Sequence, residues 1–291
     1  MMTKHYREKA AHNWSEDSIR LITTPSRSAK NSFFYVEEAG YFQTKPGYFT
    51  EREKLNSYLI VYTLDGKGFL TYHGQKYKLQ KNQAFFISCM DYQHYKTDQE
   101  ELWEFNWVHL NGSSIRGYYH YFQSADSPVV TIKNSSDFKS SFQQLIQNQQ
   151  NFTAHSEPIS SKLLTDLLTE LLCSVHSKFE TETYIPDAMQ AIIRYLEKYF
   201  NTAVSLDHLA ARFNLSKYHL AREFKKYAGI SPHEFLITCR ITYAKNALKY
   251  SNDSISEIAE DAGIPNVSHF INLFKDREGT TPLAYRKKWR I

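Results

Sequence analysis

Two stretches of the sequence, AGISPHEF at residues 228–235 and EGTTPLAY at residues 278–285, repeat one pattern and decide the fold around them. The repetition extends beyond these stretches, because five residue pairs keep a spacing of 50: Phe224 and Phe274, Lys225 and Lys275, Gly229 and Gly279, Pro232 and Pro282, and Phe235 and Tyr285. A spacing that holds at so many positions predicts one structural unit that the chain uses twice.

Each copy of this unit is predicted to contain two short helices separated by a tight turn. In residues 205–229, apolar residues recur at helical spacing, a serine precedes each helix as a suitable cap, and Asn214 suits a left-handed turn position. Residues 254–279 repeat the layout with Gly263 at the turn and one extra residue in it. This pattern is typical of a helix-turn-helix. A longer helix over ITCRITYAKNALKY is predicted to hold the two copies at a fixed separation.

The second helix of each copy leaves polar positions on its outer face, as a helix that enters a DNA major groove requires. In the first copy these outward positions are Lys217, Tyr218, Ala221, Arg222 and Lys225 or Lys226. Basic residues recur after each phenylalanine, where they can contact phosphates and set the register on a duplex: Lys225, Lys226, Lys275 and Arg277. The pattern favours DNA binding, although a plain helical bundle or a protein-interaction repeat is also compatible with it.

The positive charge of the chain is concentrated in the same region. From Asp187 onward the sequence has 16 Lys and Arg against 11 Asp and Glu, a balance of +5, whereas residues 1–186 have 19 against 20, a balance of −1. This excess is compatible with a nucleic-acid partner, but it is also small enough to be an ordinary solvated surface.

Residues 31–132 have the pattern of a β-rich domain. Short runs of aromatic and β-branched residues, such as SYLIVYTL, FLTY and AFFIS, are separated by turn signals. Asp65-Gly66 and His73-Gly74 supply the left-handed positions that hairpin turns need. A succession of short antiparallel strands predicts a sandwich or a barrel.

Residues 135–179 change to a helical period, with an apolar stripe formed by Leu164, Leu167, Leu168, Leu171, Leu172 and Val175. Two partners for this stripe remain open: the β domain of the same chain, or the same helix of a second copy in a homodimer. The polar stretch SKFETETYIPD, residues 177–187, is predicted to be a linker. We therefore predict one domain over residues 1–178 and a second over residues 186–291.

Composition limits the class of protein. A chain of 291 residues with 42% hydrophobic and 23% charged residues is long enough for two globular domains. The three cysteines are far apart, which indicates neither a disulfide framework nor a thiolate zinc site. The first residues lack the apolar run of a signal peptide, and no segment approaches the roughly 18 apolar residues of a membrane span. We expect a soluble, cytoplasmic protein without a membrane partner.

The C-terminal third of the chain resembles the DNA-binding domain of the AraC/XylS family of transcription regulators. The resemblance runs from SLDHLAARFNLSKYHL to PLAYRKKWR and includes these matching positions: Ala210, Ser216, Leu220, Arg222, Phe224, Gly229, Pro232, Arg240, Ala244, Ile258, Ala259, Gly263, Phe270, Phe274, Gly279, Pro282 and Arg286. It implies a tandem helix-turn-helix that binds an operator or promoter in double-stranded DNA, a homodimer, and RNA polymerase as a partner.

The resemblance also implies which side chains read DNA. In the first motif the base readers are Tyr218, Ala221 and Arg222, with Ser216, Lys217 and Lys226 beside them at the interface. In the second motif the base readers are Val267, Ser268, His269 and Asn272. Two positions depart from the family pattern, because Asn214 replaces a usual glycine and Asn272 replaces a common arginine. Arginine bonds guanine twice whereas asparagine suits adenine, so the second motif is predicted to discriminate bases less or differently.

The N-terminal region resembles the cupin-type sensing barrel of family members that respond to sugars, particularly regulators of α-galactoside or related oligosaccharide operons in low-GC Gram-positive bacteria. The stretches that carry this resemblance are YLIVYTLDGKGFLTYHGQKYKLQKNQAFFISCMDYQHY and WEFNWVHLNG. It places Trp107, Tyr95 and Gln93 nearest the ligand.

The residues themselves leave two interpretations of this region. Trp103, Phe105 and Trp107 alternate onto one strand face, which is either barrel core or a surface on which a sugar stacks. Polar groups that can orient a saccharide are Arg52, Gln93, His94 and Tyr95. The predicted effector-binding residues are therefore Arg52, Gln93, His94, Tyr95, Trp103 and Trp107.

An enzyme is the alternative from another class, because cupin barrels also hold catalytic metals. His73, His94, His109 and Glu101 are conceivable ligands, yet QHY provides a single His where cupin metal sites have two one residue apart. The alternative would be a metal-dependent enzyme or isomerase fused to a helical interaction module. We predict instead an α+β regulator without enzymatic activity or cofactor. Its N-terminal cupin-like β-barrel with helices is linked to an all-α tandem helix-turn-helix domain, and a saccharide in the barrel controls activation of carbohydrate uptake or catabolism genes.

Overall fold

The computed structural model describes residues 6–123, 127–175 and 186–289. The chain divides into two compact units, Met1–Lys178 and Phe179–Ile291. The linker predicted over residues 177–187 lies outside the described residues except for Pro186 and Asp187.

The N-terminal unit consists of two antiparallel sheets and a layer of helices. Its strands are β1 Arg7–Ala11, β2 Ile19–Ile22, β3 Tyr35–Thr44, β4 Phe49–Glu53, β5 Tyr58–Gly66, β6 Gly68–Tyr72, β7 Gln75–Leu79, β8 Gln83–Ser88, β9 Gln93–Thr97, β10 Trp103–Asn111 and β11 Val129–Thr131. Its helices are α1 Arg27–Ser32, α2 Ile115–Phe122, α3 Ser135–Gln150 and α4 Ser156–Val175.

The strands form a five-stranded sheet in the order β1-β4-β9-β6-β7 and a six-stranded sheet in the order β11-β8-β5-β10-β3-β2. Consecutive strands repeatedly change sheet, as in a jelly roll. Hydrogen-bonded pairing among the described strands does not join the two sheets, so the predicted barrel is an open sandwich. The predicted turns are confirmed, because Gly66, His73 and Gly74 all have positive φ, between 48° and 75°.

The six-stranded sheet is buried on both faces, and this divides the side chains of β10 between two cores. Trp103, Phe105 and Trp107 pack between the two sheets with residues of β6, β7 and β9. Val108 and Leu110 point to the opposite face, where α2, α3 and α4 cover the sheet. Alternation along one strand therefore separates a sheet-to-sheet core from a sheet-to-helix core.

The leucine stripe of α4 packs within its own unit. Its four most buried members, each at most 1% exposed, lie in the sheet-to-helix core: Leu164, Leu167, Leu168 and Leu171. Leu172 and Val175 are half-buried against the same core. Of the two partners left open by the sequence, the structure uses the β domain of the same chain, and these leucines are not available for a homodimer.

The C-terminal unit is helical, with α5 Asp187–Lys198, α6 Leu206–Arg212, α7 Lys217–Ala228, α8 Pro232–Tyr250, α9 Ile255–Asp261, α10 Val267–Glu278 and α11 Pro282–Trp289. The turns between α6 and α7 and between α9 and α10 contain Asn214 at φ 53° and Gly263 at φ 74°, as predicted. A β carbon at position 263 would lie 2.7 Å from the carbonyl oxygen of Asn201, so the second turn accepts only glycine.

The helix-turn-helix motifs have separate cores that share α8. Leu236, near the start of α8, packs in the core of the first motif with Leu220 and Phe224. Ile237 and the apolar residues after it on α8 pack in the core of the second motif with Phe270 and Phe274. The longer helix predicted between the two copies is thus confirmed, and its residues belong to the cores of both motifs.

Candidate nucleic-acid interface and ligand cleft

The N-termini of α7 and α10 are built alike. The hydroxyl of Ser216 accepts a hydrogen bond from the backbone N–H of His219 at 3.2 Å, and the side-chain oxygen of Asn266 accepts one from the backbone N–H of His269 at 2.9 Å. Each helix ends at a glycine with positive φ, Gly229 or Gly279. These caps fix where both helices begin and end, which sets the side chains that their first turns present.

The first turns of α7 present the predicted residues to solvent. Tyr218 is 87% exposed, Ser216, Lys217 and Arg222 are also exposed, and Ala221 is half-buried. The ammonium of Lys217 lies 2.8 Å from Asp207 on α6. This ion pair is at the surface, so it contributes little to stability. Lys217 can therefore exchange Asp207 for a DNA phosphate.

Other predicted residues on α7 and α10 are less exposed to solvent. Lys226 is half-buried and lies 3.7 Å from Glu223, a residue that also lies 3.4 Å from Arg222. On α10, Ser268, His269 and Asn272 are exposed, while Val267 is half-buried against the core of its own motif. The structure thus places the predicted residues of each motif along one helix, with Ala221, Lys226 and Val267 half-buried.

Two features of this surface were not predicted from the sequence. His219 is exposed on the first turn of α7 at the position that His269 holds on α10, and comparison of the two repeats at a spacing of 50 would have identified it. Arg277, predicted to contact phosphate, lies 2.6 Å from Glu234 of α8. Its guanidinium therefore ties α10 to α8, and Lys275 is exposed near the end of α10.

The N-terminal unit has a cleft between its two sheets. Its lining combines aromatic and charged side chains: Glu8, His12, Trp14, Arg20, Glu38, Phe42, Tyr48, Thr50, Arg52, Tyr95, Phe105, Trp107 and His109. The indole of Trp14 stacks on Phe42 at the rim, with ring centroids 4.4 Å apart and planes at 21°. The cavity left open by these side chains is about 30 Å³. This is the space of roughly one water molecule, so a larger ligand requires rim side chains to move.

A chain of polar contacts crosses this cleft. Arg52 is 8% exposed; its Nε lies 2.8 Å from the Glu8 carboxylate, and its Nη1 lies 2.5 Å from Nε2 of His109. A guanidinium only donates hydrogen bonds, so Nε2 of His109 accepts and the ring proton is on Nδ1. That proton faces the hydroxyl of Ser57 at 3.2 Å. Arg52 is therefore held between a carboxylate from β1 and a neutral imidazole from β10.

The pKa values around Arg52 follow from burial and charge. Burial, together with the Arg52 charge, lowers the pKa of His109 well below its usual range, which keeps the ring neutral. Burial raises the pKa of Glu8, but the hydrogen bond from Tyr6 and the charge and hydrogen bond of Arg52 outweigh burial and lower that pKa overall. Arg52 and Glu8 thus form the ionised pair beside an uncharged histidine.

Two polar groups in the sheet-to-sheet core lack a partner among the described residues. The indole nitrogen of Trp107 is buried without a hydrogen-bond acceptor, and Trp107 itself lines the cleft. Gln93 is fully buried on β9, and neither its amide oxygen nor its amide nitrogen has a hydrogen-bond partner. Gln93 pairs in register with Arg52 of β4 and Tyr72 of β6, so its position lies beside that of Arg52. Unpaired buried polar groups are costly, so these atoms are available to hydrogen-bond a water molecule or a ligand.

The structure gathers only part of the predicted effector site. Arg52, Tyr95 and Trp107 line the cleft, and Gln93 lies next to Arg52 in the sheet. Trp103 is fully buried deeper in the core, where its indole N–H donates to the hydroxyl of Thr63 at 3.1 Å. His94 points to the opposite face of β9, toward Lys96 and Thr71 on the outer surface. Neighbouring residues of a strand face opposite sides of the sheet. Because Gln93 and Tyr95 face the interior, His94 faces outward.

Several cleft residues were missed by sequence reasoning. His109 follows Trp107 at a spacing of two on β10, and this alternation is the signal that could have identified it. Glu8 and Trp14 come from the first strand and the segment after it, where no local pattern indicates that they fold against β3 and β4.

The side chains proposed as metal ligands do not converge, and the described residues contain no group of three or more His, Cys, Asp or Glu that could hold a metal ion. No helix in residues 6–123, 127–175 and 186–289 is both long and apolar enough to cross a membrane.

Comparison with known proteins assigns a family to each unit. Residues 35–172 match the family described as AraC-like ligand binding domain, and residues 209–288 match a helix-turn-helix domain family. The MmsAB operon regulatory protein of Pseudomonas aeruginosa is 23% identical over 260 residues, which cover 88% of this chain and 83% of that protein. The lactose operon transcription activator of Staphylococcus xylosus is 23% identical over 231 residues, covering 78% of this chain and 82% of that protein.

Among solved structures, the C-terminal domain of AraT, a response regulator from Geobacillus stearothermophilus, is 29% identical. It covers 37% of this chain and 89% of that one, with a TM-score of 0.36.

Proposed function

Because the chain belongs to the AraC family of transcriptional regulators, we propose that it is a DNA-binding activator of carbohydrate uptake or catabolism genes and that a neutral saccharide is its effector. The saccharide binds in the cleft between the sheets of the N-terminal unit. The tandem helix-turn-helix of the C-terminal unit binds the operator, and the regulator acts as a homodimer that contacts RNA polymerase.

The observation that carries this proposal is the balance of charge and aromatic surface in the cleft. Apart from histidines, the charged residues that line it are two arginines and two glutamates, paired as Arg52 with Glu8 at 2.8 Å and Arg20 with Glu38 at 2.9 Å. The Arg52–Glu8 pair is the more buried of the two, so an ionic ligand that displaced either partner would leave the other charge unpaired in the cleft, which is costly. A polyhydroxy ligand leaves both pairs intact and accepts or donates hydrogen bonds at their edges.

The aromatic residues of the cleft give such a ligand a surface for stacking. Phe42 lies between Trp14 and Trp107, with ring centroids at 4.4 Å and 5.0 Å. Flat rings of this kind pack on the C–H faces of a sugar, while a few polar groups fix its orientation. In this assignment Trp107 stacks and donates its unpaired N–H, Tyr95 and Arg52 bond hydroxyls, and Gln93 supplies the unpaired amide beneath them. Entry of the sugar requires Trp14 to move off Phe42.

A named relative supports the choice of ligand class. The Staphylococcus xylosus protein is a lactose operon transcription activator and is similar to this chain across both units. In the C-terminal unit, we assign base contacts to Tyr218, Ala221 and Arg222 of α7 and to Val267, Ser268, His269 and Asn272 of α10. Ser216, Lys217 and Lys226 are assigned to the DNA backbone.

A thermal-shift screen with mono-, di- and trisaccharides and with a sugar acid tests the effector assignment. Binding to the folded state raises the melting temperature of the unit that binds, in proportion to RT ln(1 + [L]/Kd). We expect a shift from at least one neutral saccharide and none from the sugar acid. A response to the acid alone would replace the neutral ligand by an anionic one.

The matched variants for this screen are Gln93→Leu and His94→Ala. Leucine removes the unpaired amide without a large change in volume, so Gln93→Leu is expected to stay folded and to lose the response. His94 belongs to the same strand but to the outer face, so His94→Ala is expected to keep the response. Loss of the response in both variants, or in neither, would contradict the assignment of the cleft.

A further inference from the structure

The two helix-turn-helix motifs have the same fold and opposite charge. The first motif, residues 205–229, contains five Lys and Arg against two Asp and Glu, a balance of +3. The second motif, residues 254–279, contains two Lys and Arg against five Asp and Glu, a balance of −3. DNA attracts both motifs through the same phosphates, so two copies with opposite charge cannot contribute equally to binding.

The difference arises at equivalent positions of the two motifs. Four cations of the first motif have uncharged or acidic counterparts in the second: Arg212 corresponds to Asp261, Lys217 to Val267, Arg222 to Asn272 and Lys226 to Asp276. Lys225 and Lys275 are the pair of cations that the motifs share. The loss of charge therefore falls on the reading helix and on the helix before it, and not on a remote surface.

The other side chains of residues 254–279 do not restore the missing charge, and the exposed cations Lys287 and Lys288 lie outside the motif on α11. Asp261 and Asn272 are exposed, and the Asp276 side chain is 78% exposed, so these residues face solvent. Of its two cations, Arg277 lies 2.6 Å from Glu234. The Glu278 carboxylate is in turn 2.8 Å from Lys245. Lys275 and Arg277 are both exposed, and the exposed Asp276 lies between them in the sequence.

The residues that the second motif does present are polar hydrogen-bonding groups. Ser268, His269 and Asn272 are exposed on the first two turns of α10, where a major-groove helix meets base edges. Side chains of this kind distinguish bases by donor and acceptor pattern and release few counterions.

We propose that the two motifs divide the work of DNA recognition unequally: the first motif supplies the salt-dependent affinity in addition to its own base contacts, and the second contributes discrimination between sequences with almost no salt-dependent affinity of its own. This inference rests on the DNA-binding function proposed above and names the residues that set its two components. Lys217, Arg222 and Lys226 are the phosphate and guanine contacts of the first motif. Ser268, His269 and Asn272 are the specificity-determining residues of the second.

The experiment uses the full chain and a duplex that it selects from a random-sequence library. Dissociation constants are measured for the selected duplex and for an unrelated duplex between 50 and 200 mM KCl. Each phosphate neutralised by the protein contributes about 0.9 to the slope of log K against log salt concentration. The slope therefore counts phosphate contacts, and the ratio of the two dissociation constants measures discrimination.

Matched truncations compare equivalent positions of the motifs. In the first motif, Lys217→Ala is expected to reduce the slope by about 0.9, whereas Arg222→Ala is expected to reduce the ratio of dissociation constants because a guanine contact is lost. Val267→Ala and Asn272→Ala in the second motif are expected to leave the slope unchanged, and Asn272→Ala is expected to reduce the ratio of dissociation constants roughly tenfold. All four positions are exposed or half-buried, so the variants are expected to fold, and circular dichroism is the control that checks this.

The reciprocal variants Asn272→Arg and Asp276→Lys give the second motif the charge of the first. Each is expected to steepen the slope by about 0.9 and to tighten binding to the unrelated duplex. Equal slope losses from truncations in both motifs, or no change in slope from the reciprocal variants, would overturn the division of work. Failure of the full chain to bind any duplex in a salt-dependent way would contradict the proposed DNA binding itself, and not only the difference between the two motifs.

Discussion

The candidate residues of the two units differ in burial. In the ligand cleft, Gln93 is 0% exposed, Trp107 6% and Arg52 8%. On the reading helices, Tyr218 is 87% exposed, and Ser268 is exposed as well. The two sites lie in one chain, yet one is part of a hydrophobic core and the other is carried on a surface.

This difference has a consequence for substitution. Side chains of the cleft contribute to folding as well as to ligand binding, because they pack between the sheets. Side chains of the reading helices contact mainly solvent, so their replacement is expected to change DNA binding and leave folding alone. The free energy of unfolding measures the contribution of a side chain to folding at either site.

The largest effect is expected from a charge in the sheet-to-helix core. Leu168 is 1% exposed, so Leu168→Glu buries an unpaired carboxylate and should cost about 3 to 5 kcal/mol. Thr169→Glu, at the next position on the exposed face of α4, is the control and should cost less than about 0.5 kcal/mol. Chemical denaturation of both variants checks this. A Leu168→Glu protein that stays stable and becomes monomeric would assign the leucine stripe to a dimer after all.

The second effect is a pH dependence that comes from His109. The folded-state pKa of His109 is well below its usual value, chiefly because of burial and then because of Arg52. Below the unfolded-state pKa of about 6.5 the unfolded chain therefore binds more protons than the folded chain, and stability falls as pH falls. One such group contributes at most about 1.4 kcal/mol per pH unit.

Unfolding of the N-terminal unit between pH 7 and pH 5 tests the contribution of His109. We expect His109→Gln to flatten the decline in stability at acid pH. The His94→Gln control removes a half-exposed histidine whose pKa is also lowered, first by burial, so it should flatten the decline less. A decline that is unaffected by His109→Gln would show that the imidazole is not held neutral.

A third, smaller effect separates the two tryptophans of β10. Trp103→Phe removes the hydrogen bond to Thr63, whereas the indole nitrogen of Trp107 has no partner to lose. Trp103→Phe should therefore be less stable than Trp107→Phe by about 1 kcal/mol. The ligand response should show the reverse order, with the larger loss in Trp107→Phe. Equal unfolding energies together with equal ligand responses would remove the distinction between core and cleft on this strand.

The smallest change in stability is expected on the reading helices. Tyr218→Ala should change the free energy of unfolding by less than about 0.5 kcal/mol. The same variant should weaken binding to the selected operator by about 1 to 3 kcal/mol, because a base contact is lost. Phe224→Ala, one and a half turns further along α7 and 1% exposed, is the contrasting variant and should cost about 3 to 5 kcal/mol of stability. A destabilised Tyr218→Ala protein would mean that the tyrosine packs on its own domain.

The same difference in burial explains what the sequence could predict. In the C-terminal unit, function follows from local signals: caps at Ser216, a left-handed Asn214, and outward residues at fixed offsets from Phe224. All of these lie within one short stretch, so periodicity predicts both the helices and their exposed faces. The equivalent His219 and the ion pair of Arg277 with Glu234 were missed, the latter because it joins residues 43 apart.

In the N-terminal unit, local signals predict strands and turns but not which strands meet. Alternation on β10 correctly places Trp107 on an inward face, yet it places Trp103 there as well. Only the pairing of β10 with β3 and β5 decides which tryptophan lies at the cleft and which lies below it. The same applies to Glu8, which reaches Arg52 because β1 pairs with β4 across more than 40 residues of chain.

Helix α8 determines how the C-terminal unit unfolds. Because its first turns belong to the core of one motif and the remaining turns to the core of the other, damage to either core releases turns that the other needs. We therefore expect the unit to melt in a single cooperative step and expect neither half to persist alone under partial proteolysis. The two copies that are visible in the sequence therefore form one cooperative folding unit, and a chain that lost either copy would lose the stability of the other.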